Sequence, residues 1–170
     1  GILLGTAEGG FVLHLKGIVL VEVPGPRLIF AMKADVLSLP PVLTDHTQSA
    51  TFLAVLDLDL GRGTISIAVV AGYEIESLLS IRVPVTAFFD TQHLDQWFVD
   101  LGTNTEPVTV SILDVFEGTG YLMVHGDGTT IAIPELPVVT QGLTIAVGFH
   151  LRAVLMGSKA VGLYLEVVDR

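Results

Sequence analysis

The sequence contains no cysteine, which removes disulfides, thiolate nucleophiles, iron–sulfur clusters and cysteine-based zinc sites together and leaves the compartment undetermined. Basic residues are scarce: 8 Lys and Arg stand against 18 Asp and Glu, a formal net charge of −10. They are scattered singly, so there is no clustered cation surface to displace counterions from nucleic acid or to adsorb to anionic lipid, and no nucleic-acid partner is expected. Nor is there a run of about 20 apolar residues, the length a transmembrane helix needs. The stretches 67–72 and 83–89 are soon broken by Ser, Pro, Arg, Glu or Asp. The opening residues, Gly1-Ile2-Leu3-Leu4-Gly5, lack an initiator Met and the basic and long apolar regions of a signal peptide. Because the last residues, 163–170, still read as strand, the chain is expected to be an excised or processed fragment.

What is present is apolar and rich in strand formers. Hydrophobic residues make up 51% of the 170 residues, charged residues 15%, and the mean hydropathy is +0.70. That is too apolar for disorder and unusual for a free-standing soluble domain. Leu143, Ile145, Val147, Phe149 and Leu151 alternate with Thr144, Ala146, Gly148, His150 and Arg152, the period of two that marks a strand. Val108, Val110 and Ile112 alternate with Thr109 and Ser111 in the same way. With 18 Gly and 8 Pro as punctuation, the pattern predicts an all-β chain: one β-rich domain over residues 1–170, an antiparallel meander of about ten strands forming a sandwich or an open curved sheet.

Turn signals join the runs. Asp127-Gly128 predicts a two-residue hairpin between 121–125 and 129–133, pairing Val124 with Ile131 and Leu122 with Ile133. Gly61-Arg62-Gly63 predicts a turn between 51–60 and 64–73, Gly118-Thr119-Gly120 one between 108–116 and 121–125, and Met156-Gly157-Ser158 one between 143–155 and 160–168. Pro40-Pro41 with Thr44 to Thr47 reads as a loop. Over 90–101, the spacing of Leu94, Trp97, Phe98 and Leu101 behind Asp90 predicts a turn of helix, followed by a short strand. Several strands, 52–60 and 65–71 among them, are apolar on both faces for half their length, and such strands need cover on both sides.

Candidate chemistry is sparse. His125-Gly126-Asp127 and Asp45-His46 are the close His–carboxylate pairs, and either needs a third group to become a hydrolytic or metal site. The histidines at 14, 46, 93, 125 and 150 lack the i, i+2 or i, i+4 spacing of paired ligands, so no metal is predicted. Asp57-Leu58-Asp59-Leu60-Gly61 begins like a calcium loop but lacks its later ligands, and a charged strand end before a Gly-x-Gly turn explains it as well. That Gly-x-Gly precedes no Lys-Ser/Thr and no helix, which removes a phosphate cradle and any nucleotide cofactor. Glu106, Asp114 and Glu117 read as solvated turn carboxylates rather than a glycosidase pair.

Three stretches carry a resemblance: Val21-Glu22-Val23-Pro24-Gly25-Pro26-Arg27 leading into Met32-Lys33-Ala34-Asp35; Leu56-Asp57-Leu58-Asp59-Leu60-Gly61-Arg62-Gly63; and Trp97-Phe98-Val99-Asp100-Leu101-Gly102-Thr103 with Gly120-Tyr121-Leu122-Met123. Together they resemble a domain family of unknown function found in very large, β-rich bacterial proteins, over residues 18 to 168. The resemblance implies a section of a long multi-strand protein and brings no catalytic residues with it.

The expectation is a non-enzymatic structural module without cofactor, whose apolar surfaces are completed by neighbouring domains of the same protein or by homo-oligomer copies. The alternative is a carrier for lipid or another hydrophobic ligand, bound in a curved-sheet groove lined by Leu143, Ile145, Val147 and Phe149. A hydrolase built on His125 with Asp127, or His46 with Asp45, is the third reading. A transmembrane β-barrel is disfavoured, because its inward residues should be regularly polar and many here are Ala and Val.

Overall fold

Alternation of β-branched and other apolar residues with small or polar ones extends each run, since successive side chains in a strand leave on opposite sides. The computed structural model describes residues 2–6, 11–38, 48–126, 131, 142–155 and 159–169. Among them are eleven strands and no helix: β1 (Ile2–Thr6), β2 (Phe11–Glu22), β3 (Arg27–Ser38), β4 (Gln48–Asp59), β5 (Thr64–Ile75), β6 (Leu79–Asp90), β7 (Trp97–Leu101), β8 (Val108–Ile112), β9 (Phe116–His125), β10 (Thr144–Leu155) and β11 (Lys159–Asp169). All pair antiparallel in a single sheet, ordered β1 to β7, then β9, β10 and β11, with β8 between β6 and β9. The all-β meander predicted from the sequence is what these residues form, as an open sheet and not a sandwich.

Short turns stitch both ends. Asp59 pairs with Thr64 around the predicted Gly61-Arg62-Gly63 turn, where Asp59 Oδ1 accepts the Arg62 N–H at 2.9 Å and Gly63 has φ +70°. Leu60 N–H donates to Pro26 O, and Thr91 N–H to Gly63 O, so neighbouring turns brace one another. At the opposite end the Leu113 N–H donates to Leu78 O. β10 and β11 pair up to Leu155 with Lys159, as expected for strands joined at 156–158.

Three expectations are corrected. Gly118-Thr119-Gly120 lies inside β9; the reversal is at 113–115, where Leu113 and Asp114 adopt φ +54° and +52°. Glycine was the expected carrier of positive φ, but neighbouring backbone bonds hold two other residues there. Residues 91–96 form no helical turn. Asp90 does supply the capping chemistry, its Oδ1 accepting the N–H groups of Gln92 (2.8 Å) and His93 (3.1 Å), but the chain then enters β7 at Trp97. Cross-strand pairing of Phe89 with Trp97 outweighs the helical spacing.

The third correction concerns the hairpin drawn between 121–125 and 129–133. Both sides of β9 are already occupied, Val124 by Val99 and Ile145, Leu122 by Leu101 and Val147. The pairings Val124 with Ile131 and Leu122 with Ile133 are thus excluded, and Ile131 is in no strand. Asp127-Gly128 itself, the 39–47 loop with Asp45 and His46, and the 156–158 turn lie outside the described residues.

Pro84 explains the one irregularity. In an antiparallel strand the N–H and C=O of a residue point to the same neighbour. Pro84 O accepts the Gly102 N–H at 2.8 Å, so the N–H that proline lacks would also have faced this side. Here the partner strand is interrupted: Val85 faces Leu101 but Arg82 faces Thr109, three residues of β6 against eight of its partner. β7 and β8 are two halves of one strand position with five extra residues looped out between them.

A small core lies where Tyr121, Met123, Ala146 and Ile131 meet. Gly148 permits it, because the Tyr121 ring lies across the glycine where a β-carbon would stand. Gly102, at φ +68°, is under a sharper constraint, since a β-carbon there would come within 2.7 Å of Val108 N. Gly102→Ala should therefore cost about 1–2 kcal/mol or more, read as a lower urea midpoint. Gly17→Ala is the control, because its new methyl comes no nearer than 3.7 Å to Ala31 O; equal losses from both would contradict the strain argument.

Candidate functional site

Directly opposed residues of an antiparallel pair share a face, so the register sorts every side chain. Leu56, Ile67, Ala87, Val99, Val124 and Ile145 form one row straight across six strands. The next row, on the other face, is Val55, Ala68, Thr86, Asp100, Met123 and Ala146. Continued from β2 to β10, this assignment puts every strand-borne charged residue and histidine with a described side chain on the second face. Strands that look apolar on both sides, such as β4 and β5, owe this to Leu53, Val55, Ala68 and Val70 in the middle of that mixed face.

The first face has no protein cover among the described residues. Val19 is 60% exposed, Met32 42% and Leu122 39%, and the buried side chains there, Ala34 and Ala87, are small. Ile145, Val147 and Phe149 belong to this face, Val147 opposite Leu122 and Ile145 opposite Val124, and Leu143 stands just before β10. Leu143 and Val147 are exposed; Phe149 borders a cavity of about 80 Å³ with Asn104, Pro107 and His150. A larger cavity, about 430 Å³, belongs to the opposite face, over Gly72 between Lys33 and Arg82.

On the mixed face the charges meet one another. Arg27 grips Asp57 with two bonds, Nε to Oδ1 at 2.9 Å and Nη2 to Oδ2 at 2.6 Å. With Asp59 holding the turn, the carboxylates that begin like a calcium loop are already engaged. Lys33 lies 3.0 Å from Asp35, which also accepts from Thr51, and Arg152 lies 3.6 Å from Glu117. Asp114 sits in the 113–115 turn, Glu117 stands in β9 beside Arg152, and the Glu106 N–H donates to Thr103 Oγ1.

The chemistry-bearing group is His125, and its carboxylate is Asp100, from the strand alongside. His125 Nε2 and Asp100 Oδ1 are 2.9 Å apart, both side chains are under 10% exposed, and the imidazole stacks on Phe98 at 5.1 Å. The bond to a carboxylate makes Nε2 the donor, which leaves Nδ1 buried with no hydrogen-bond partner. Thr144 stands directly across from His125 and is 2% exposed. Carboxylate, imidazole and hydroxyl thus share one buried neighbourhood, apart from the cavities lined by Leu78 and Leu113, by Gly72 and by Phe149. Sequence proximity to Asp127 pointed elsewhere; the signal for Asp100 was its being the single charge in the alternating Trp97–Leu101 strand, on the side of Phe98.

Comparison with protein-family models, with curated proteins and with solved structures finds no match.

Asp100→Ala would strand a buried imidazole and should cost about 1–3 kcal/mol, while Asp100→Asn, which keeps an acceptor, should cost less. Urea midpoints check the order; a harmless Asp100→Ala would remove the pair from the account. A second His–carboxylate pair stands where β6 runs into the 91–96 loop, with His93 Nδ1 2.9 Å from Asp90 Oδ2. The bond to Asp90 and its charge raise the His93 pKa; the same bond, with the Gln92 N–H, lowers that of Asp90. His93 contributes fully below its unfolded value and loses its contribution as pH rises through the raised one; Asp90 loses its own only as pH falls through the lowered one. The destabilisation by His93→Gln should therefore be largest between about pH 4 and 6.5 and shrink by pH 9, which paired denaturation curves would show. A pH-independent deficit would contradict it.

Proposed function

We propose that the chain is a non-enzymatic β module of a larger sheet assembly, completed along its edge and over its apolar face by neighbouring sequence or further copies. The outer edge of β2 carries this reading. β1 covers only residues 11–15, and from Lys16 to Glu22 the strand pairs with β3 on one side and with no described strand on the other. Ile18, Val19, Leu20 and Val21, apolar on both faces, are 57 to 70% exposed along that edge.

Unpaired N–H and C=O groups flanked by apolar side chains are a template for another strand. Natural edges are blunted with central charges, prolines or bulges, and this one carries charge only where it begins and ends, at Lys16 and Glu22. The resemblance to sections of very large β-rich proteins points the same way, and the enclosure of His125, Asp100 and Thr144 weighs against a substrate site. Assembly through this edge makes the chain self-associate in sedimentation. Ile18→Lys with Leu20→Lys should reduce that association while leaving the β circular dichroism signal unchanged. A parent chain that stays monomeric at high concentration and binds no hydrophobic dye would sink the proposal.

A further inference from the structure

We infer that the partner of the apolar face is hydrocarbon, the acyl-chain interior of a lipid bilayer, and that the sheet is a section of a membrane-embedded β wall. The inference rests on the assembly reading for the sheet edges and puts lipid in place of protein over the apolar face, because hydrocarbon tolerates no unpaired backbone and the open edges must be closed by further strands.

Four features favour lipid over a second protein layer. Across β5 to β9 the face is apolar from Ile75, Leu79, Ile112 and Phe116 at one end to Phe89 at the other, and Ser38, Gln48, Lys159 and Asp169, polar positions the register gives this face, stand at strand ends. Its height fits. From Ile65 to Ile75 the apolar positions of β5 span eleven residues, about 33 Å along the strand and about 25 Å at the usual 35–45° tilt, the height of the apolar band on membrane barrels. The side chains on this face able to donate a hydrogen bond, among those described, are Trp97 and Tyr73, and they stand at opposite ends of the band. Aromatic residues with a polar atom favour those two membrane levels. Finally, the opposite face carries the polar groups, Lys33 beside Asp35 and Asp100 hydrogen-bonded to His125 among them, as a wall turned toward water or protein on its inner side does. The Ala and Val positions that argued against regular inward polarity are confined to the middle of that face.

The absence of cysteine makes the test clean. Single variants Val69→Cys and Val85→Cys report the apolar face; Ala68→Cys and Thr86→Cys report the other, one residue away. Each is labelled with a polarity-sensitive fluorophore and refolded with dioleoylphosphatidylcholine vesicles, with and without brominated phosphatidylcholine as quencher. The expected result is blue-shifted, quenched emission at 69 and 85 and neither change at 68 and 86. Val85→Asp should also lower vesicle incorporation severalfold, and Thr86→Asp by far less. Failure to enter vesicles, absence of the alternation, or equal losses from the two aspartates overturns the lipid assignment. If sedimentation still shows edge-dependent association in that event, the cover is protein and the assembly reading survives; a monomer with all four labels in water overturns both.

Discussion

The organisation of this molecule depends on one constraint, the two-residue period of a strand held in register across a sheet. Because opposed residues share a face, a single alternation repeated from β2 to β10 becomes two surfaces of opposite character. Neither surface exists in any one strand. A row such as Leu56, Ile67, Ala87, Val99, Val124 and Ile145 draws on six separate stretches of chain, and pairing alone makes it continuous. The ion pairs are consequences of the same sorting, since charges excluded from one face must meet on the other.

That segregation also explains where the fold tolerates burial of polar groups. Asp100 and His125 lie on the mixed face, where Tyr121, Met123, Ala146 and Ile131 form a small core. The hydrogen bond between Asp100 and His125 offsets part of the cost of shutting both away from water, and the buried Nδ1 of His125 is the part it leaves unmet. The arrangement fixes the pairing of β7 against β9, since a slip of one residue would turn the imidazole to the apolar side.

Much of this was legible in the sequence. Alternation over Thr144 to Leu155 and the Gly61-Arg62-Gly63 turn carry their structure locally, and the strands follow. What was not legible depended on partners distant in the chain. Tyr121 to His125 reads as a hairpin arm because Asp127-Gly128 is a strong local turn signal, yet β7 and β10 compete for the same edges and hold both. Asp100 is 25 residues from His125, and nothing local announces the contact. Strands that seemed apolar on both faces seemed so because face identity cannot be compared between strands until the register is known.

The residues looped out between β7 and β8 show how such a sheet can change length. They leave the ladder at Gly102 and rejoin it at Val108, opposite the proline of β6 that has no hydrogen to offer. Insertions or deletions confined to this excursion are silent to both flanking halves, whose side chains keep their orientation. A single residue gained anywhere within a paired strand would instead invert everything beyond it, turning carboxylates and guanidinium groups onto the surface that excludes them. The module therefore has a built-in site for variation in chain length, and the rest of the ladder is closed to it.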